Sequence, residues 1–197
     1  MSYKSGRWVL SQGELFPQGV SSSQVIALVE SVVADGGRVD AAKLADDFGY
    51  DVKSMLPILR AAEMLGLVRV DEGDVSVTPL GTEIAKKKGK ALTLLKENIS
   101  KMEPFKTALE LIGRNGFATS RQISEALAKR GMSFSDDGEE NERIIEEILV
   151  RWGIYTDVVK YDGKTALFSP VDERNIPSKI ELPSSLIRLL QLRNAGE

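Results

Sequence analysis

A mostly helical α+β fold, in two successive units of three helices and a two-stranded hairpin, is what this 197-residue sequence predicts. Three observations lead there. Apolar residues recur at three- and four-residue spacing in a run of helix-length stretches. Each set of three stretches enters two short β-prone runs around a Gly-containing turn, "LVRVDEGDVSVT" and "IYTDVVKYDGKTALFS". Landmarks also recur. Leu65-Gly66-Leu67 and Thr78-Pro79 bracket the first hairpin as Trp152-Gly153-Ile154 and Ser169-Pro170 bracket the second. Identity between the halves is low, so the repeat is one of architecture.

Taken in order, residues 1–21, with Gly6, Gly13, Pro17 and Gly19, read as an irregular N-terminal arm. Ser22 or Ser23 is expected to cap a first helix whose buried stripe is Val25, Ile26, Val29, Val32 and Val33, stopped by Gly36-Gly37. Asp40 caps a short second helix that buries Leu44 and Phe48, and Asp51 opens a third. Pro57 would cost that helix up to ~3 kcal/mol in its interior, so a late start or a bend is expected there. The turn Asp71-Glu72-Gly73-Asp74 closes the first hairpin, Pro79 starts another helix, and "ALTLLKENISKM" leads out of a unit spanning 22–103.

The second unit, 104–170, repeats this with "PFKTALELIGRNG", "TSRQISEALAKRG" capped by Thr119 or Ser120, "NERIIEEILVRWG", and strands around Asp162-Gly163. Between its second and third helices "SFSDDGEENE" reads as a solvated loop. A tail, 171–197, ends in a short helix with Leu186, Leu189 and Leu190 on one face, expected to dock on the body or on a second copy. Three helices and a two-stranded wing describe a winged helix-turn-helix, and the whole chain reads as two in tandem.

Composition narrows the chemistry. Cys and His are both absent, which removes disulfides, thiolate nucleophiles, Zn–S sites, imidazole ligands and the commonest general base. No apolar run approaches the ~18 residues of a membrane span, and "MSYKSGRW" lacks the pattern of a signal peptide, so a cytoplasmic protein is expected. Asp46-Asp47, Asp136-Asp137 and Glu139-Glu140 fit no Ca²⁺ loop and read as solvated surface. No enzyme and no cofactor are expected.

Winged helices commonly read DNA with the third helix and the hairpin, but the charges here oppose that. Residues 22–87 carry seven Lys/Arg against eleven Asp/Glu, and 104–169 carry nine against eleven. The hairpin tip sets Asp71, Glu72 and Asp74 against one Arg69. With Val52, Met55, Leu56, Leu59 and Ala62 inward, the third helix of the first unit presents Lys53, Ser54, Pro57, Arg60, Ala61 and Met64. A protein-docking face of Lys53, Pro57, Arg60, Ala61 and Met64 is one reading, and packing on the chain's own arm or tail carries equal weight. In the second unit, Ile145, Ile148, Leu149 and Trp152 turn inward, leaving a face rich in Glu. The DNA alternative would use Lys53, Ser54, Arg60, Arg69 and the lysines Lys86, Lys87, Lys88 and Lys90.

The stretch "GGRVDAAKLADDFGYDVKSMLPILRAAEMLGLVRVDEGDVSVTPLG", 36–81, resembles the AAA-associated C-terminal domain that follows the ATPase of nitrate/sulfonate/taurine-type ABC transporters. The likeness continues more loosely through "LLKENI" to about residue 168. It implies a regulatory or interaction module, here expected to stand alone, with a protein partner such as a transporter ATPase. ATP hydrolysis is not carried over, because no segment has the G-x-x-x-x-G-K-[ST] spacing; "KKKGKAL" is a lysine run.

Overall fold

The computed structural model describes residues 14–86 and 89–171, the side chains of 89–92 excepted. It is α+β and mostly helical. The first half holds α1 (Ser22–Ala34), β1 (Arg38–Asp40), α2 (Ala41–Asp47), α3 (Val52–Met64), β2 (Val68–Asp71), β3 (Asp74–Val77), α4 (Pro79–Ala85) and α5 (Gly89–Ile99). The second holds α6 (Phe105–Asn115), α7 (Ser120–Ala128), α8 (Gly138–Ile148), a π-helical turn (Leu149–Gly153), β4 (Lys160–Asp162) and β5 (Leu167–Ser169).

Capping sets most of the helix starts. Asp40 accepts from Ala42 N and Lys43 N, Asp51 from Ser54 N, and Thr119 from Gln122 N, each satisfying amides the helix leaves open. The cap of α1 is Ser21, upstream of both expected serines, because only Ser21 places a glutamine at the third helical position, where Gln24 Oε1 accepts from Ser21 N. The stripe of α1 is accordingly Val25, Leu28, Val29 and Val32, with Ile26 and Val33 at its flanks. Pro57 neither delays nor splits α3, which runs unbroken from Val52. Lys53 and Pro57 are both exposed, so water can serve the carbonyl that proline cannot bond.

The hairpin β2–β3 pairs Asp71 with Asp74, leaving a two-residue turn in which Glu72 (φ 49) and Gly73 (φ 92) are both left-handed. That is the twist-matched hairpin turn. The expected hairpin gains a third strand: β1 pairs β3, giving the order β1-β3-β2 with Val39 opposite Val75. The second half repeats the relation in miniature. Ala118, just before α7, exchanges backbone hydrogen bonds with Phe168 of β5 at 2.9 and 2.8 Å. Its hairpin turn is longer than Asp162-Gly163 suggests. Asp162 pairs with Leu167, and its carboxylate accepts from Lys164 N and Thr165 Oγ1 within a four-residue loop.

The acidic stretch 133–142 is irregular and mostly exposed up to Asp137, as expected, but its second half is the first turn of α8. Asp137 caps α8, Glu139 and Glu140 lie in its first turn where the helix dipole favours anions, and Asn141 is buried. The Asn141 side chain donates to Ser124 Oγ at 2.7 Å and accepts from Phe134 N at 2.7 Å, tying the segment to α7.

One continuous apolar core runs through both halves, and residues 14–20 are built into it. They are irregular, as expected, yet Phe16 is fully buried, edge-on to Phe105 (5.7 Å) and Trp152 (5.1 Å). Trp152 Nε1 donates to Val20 O at 2.7 Å. Glu14 O and Glu103 O accept from Glu103 N and Phe16 N, so the segment is also stitched to the start of α6. The Glu103 carboxylate is buried there and accepts from Thr107 N and Arg130 Nη1; Arg130 also reaches Glu110. The expected C-terminal helix lies outside the described residues.

Among the described residues three carboxyls sit below the ordinary carboxylate range. Asp51 is lowered by the Ser54 amide, Glu110 by the Arg130 guanidinium, and Asp162 by the Lys164 amide. Their folded values lie below their unfolded ones, so their contribution is present above about pH 4 and is lost as pH falls through the folded values. The urea midpoint is therefore expected to fall steadily from about pH 5 towards pH 3, with a shallower slope in Glu110→Gln.

Candidate interaction groove over α3

The third helix has two halves with different surroundings. The helix packs against α1, α2 and β2, and from Ile58 onward Ile58, Leu59, Ala61, Ala62 and Met64 are buried while Arg60 stays exposed. Before that point Met55 is its buried residue, while Val52 and Leu56 are 45% and 46% exposed. The expected face is corrected accordingly. Ala61 and Met64, placed outward by periodicity, lie in the core, and Val52 and Leu56, placed inward, face solvent. Enclosure on several sides widens the apolar stripe, so spacing alone misjudges the phase of the helix.

Lys53, Pro57 and Arg60 are exposed as expected, and with Leu56 they form one wall of an open groove of about 580 Å³. Leu15 to Gln18 supply a second wall, and Ser133 with Phe134 a third. Arg60 is ion-paired with Glu14, which fixes the arm against α3. Tyr50, exposed and stacked on Phe48 at 6.4 Å, precedes α3 outside this lining, and its hydroxyl accepts from Gln24 Nε2 at 3.3 Å. The groove thus has an apolar floor edged by Lys53 and the Arg60–Glu14 pair. Periodicity gave no sign of Leu15 or Phe134; the signal available was a lone aromatic in the acidic stretch and an apolar pair before Pro17.

The residues of the DNA alternative are dispersed along the sequence. Lys53, Ser54, Arg60, Arg69 and Lys86 are exposed, but Leu56 and Pro57 stand between Lys53 and Arg60. Lys87 and Lys88 lie outside the described residues, as does the side chain of Lys90 in α5. The hairpin tip bears the exposed Asp71 and Glu72, and Asp74 accepts from Arg38 Nε at 3.0 Å, which neutralises that arginine. On α8 the basic side chains are engaged by carboxylates: Arg143 by Glu140, and Glu142 meets Arg121; Arg151 beyond it meets Glu147. Among the described residues no group of three or more carboxylates is placed to hold a metal ion, and no helix is long and apolar enough to cross a membrane.

The family described as the C-terminal AAA-associated domain matches residues 42–162, more than half of the chain, from α2 through β4. Among curated proteins and among solved structures nothing matches. The chain belongs to the C-terminal AAA-associated domain family.

Proposed function

We propose that this member of the C-terminal AAA-associated domain family is a non-enzymatic interaction module of two winged helices, at 22–103 and 104–170, docking a protein in the α3 groove. The order helix, short strand, two helices and hairpin in the first half supports the winged-helix reading, as does the β1–β3 pairing and its counterpart at Ala118 and Phe168. The ATPase of a nitrate/sulfonate/taurine-type ABC transporter is the partner class the family suggests.

The observation that carries the reading is the exposed Leu56 between Lys53 and Arg60, on the helix that a DNA-reading winged helix lays in the major groove. Base edges are read by polar, hydrogen-bonding side chains, whereas apolar anchors in a pocket mark protein interfaces. Anisotropy of labelled mixed-sequence duplex DNA, titrated at low and at physiological salt, tests it. No binding at either salt is expected. Binding at low salt that falls steeply as salt rises would report several phosphate contacts and overturn the reading in favour of DNA.

A further inference from the structure

The α3 groove has a charge pattern as well as an apolar floor. Among the described residues that line it two are charged, Lys53 and Arg60, and both are cations. They stand on one face of α3, about 10 Å apart along its axis, with Leu56 and Pro57 between them. Their surroundings differ. Arg60 is neutralised by Glu14, whereas Lys53 is exposed and makes no ion pair among the described residues. Asp51, two residues upstream of Lys53, is occupied as the cap of α3, where its carboxylate accepts from Ser54 N at 2.8 Å. Hydrogen-bonding groups accompany the apolar surface on every wall: Gln18 on the arm, Ser133 beside Phe134, and the Lys53 carbonyl, which Pro57 has no N–H to meet. Apolar contacts interleaved with donors and acceptors suit a polypeptide, which brings its own amides to meet them.

On the reading that the groove docks a protein, we propose that the segment it takes is acidic: an apolar side chain seats against Leu56, Pro57 and Phe134, and an Asp or Glu close to it in sequence pairs with Lys53. Lys53 and Leu56 are three residues apart on the helix, so their Cβ atoms lie about 5–6 Å from each other. An acid about two to four residues from the anchor spans that distance, in an extended or a helical segment. The orientation of the segment follows too. Beyond Phe134 the chain exposes Asp136 and Glu139, which repel an acid on that side, so the partner's carboxylate lies on the α3 side. The apolar anchor supplies most of the affinity, and the pair with Lys53 supplies the discrimination.

The test selects peptides from a random library displayed on phage against the full chain, then titrates the enriched peptides, made with a fluorescein label, into the unaltered protein, Leu56→Ser and Lys53→Glu. Leu56→Ser removes the apolar contact without adding charge. Both substitutions are at exposed positions, and a glutamate in the first turn of α3 suits the helix dipole, so the far-ultraviolet circular dichroism is expected to be unchanged. The enriched peptides are expected to pair a leucine or an aromatic residue with a nearby Asp or Glu. They should bind Leu56→Ser at least about tenfold more weakly and Lys53→Glu about tenfold more weakly, and replacing the peptide's acid by Lys should restore affinity for Lys53→Glu. Peptides that need Leu56 but carry no acid, or that bind Lys53→Glu as tightly as the unaltered chain, overturn the acidic segment and leave the docking groove standing. No enrichment, or peptides indifferent to Leu56→Ser, overturns both; that is the result if a second copy or another part of the chain fills the groove.

Discussion

Phe16→Ala is expected to lower the unfolding free energy by about 3–5 kcal/mol, a large share of the ~5–15 kcal/mol that holds a typical chain folded. Two costs add. The ring, fully buried, loses its transfer free energy, and the space it leaves is bounded by Phe105 and Trp152, which belong to different helices and cannot both collapse inward. Edge-on aromatic pairing adds further to the loss. Because one core runs through both halves, urea unfolding followed by circular dichroism and by fluorescence should shift as one transition. A loss below about 1 kcal/mol, or two separated transitions, would show that residues 14–20 are an accessory and not a part of the core.

Gly81→Ala sets two effects against each other. In an isolated helix alanine is favoured over glycine by about 1 kcal/mol. Here Gly81 packs onto the end of the hairpin, and a Cβ would lie 2.0 Å from Leu67 O and 2.8 Å from Val77 Cγ2. The Leu67 carbonyl is held in place, since it accepts from Thr78 N at 3.0 Å, and the hydroxyl of Thr78, which caps α4, donates to the adjoining Gly66 O at 2.6 Å. Relief requires α4 to part from the hairpin. The clash wins, and a net loss of about 3 kcal/mol is expected, a fall of roughly 6–12 °C in Tm. An unchanged or raised Tm would mean that α4 packs differently on β2 and β3.

These two positions mark how far the sequence can be read. Caps with one candidate, such as Asp40 and Asp51, were legible because few side chains can satisfy the first amides of a helix. Ser21 was not, since three consecutive serines compete and the decision lies with Gln24. The strand β1 is three residues long, too short for its alternation of Arg38, Val39 and Asp40 to stand out; it forms because β3 offers it a partner. The hairpins were legible from their turns, although Asp162-Gly163 opens a longer loop than its dipeptide suggests.

The candidate site was half legible. Spacing puts Lys53, Pro57 and Arg60 on the exposed side, where they lie, but reverses Ala61, Met64, Val52 and Leu56. Spacing finds one face of a helix, whereas α3 buries five of its residues between Ile58 and Met64 and one before them, a width set by α1, α2 and β2 packing on it together. The other two walls come from Leu15 and Phe134, distant in sequence and brought to α3 by tertiary structure.

Docking in the groove is tested most directly by titrating a purified ATPase of the nitrate/sulfonate/taurine transporter class with labelled protein, comparing the unaltered chain with Leu56→Glu. Saturable binding is expected, weakened in Leu56→Glu by about 2 kcal/mol, roughly thirtyfold, as for a charge placed at a buried apolar anchor. Equal affinity of the two proteins, or no binding by either, would contradict a docking role for the α3 groove.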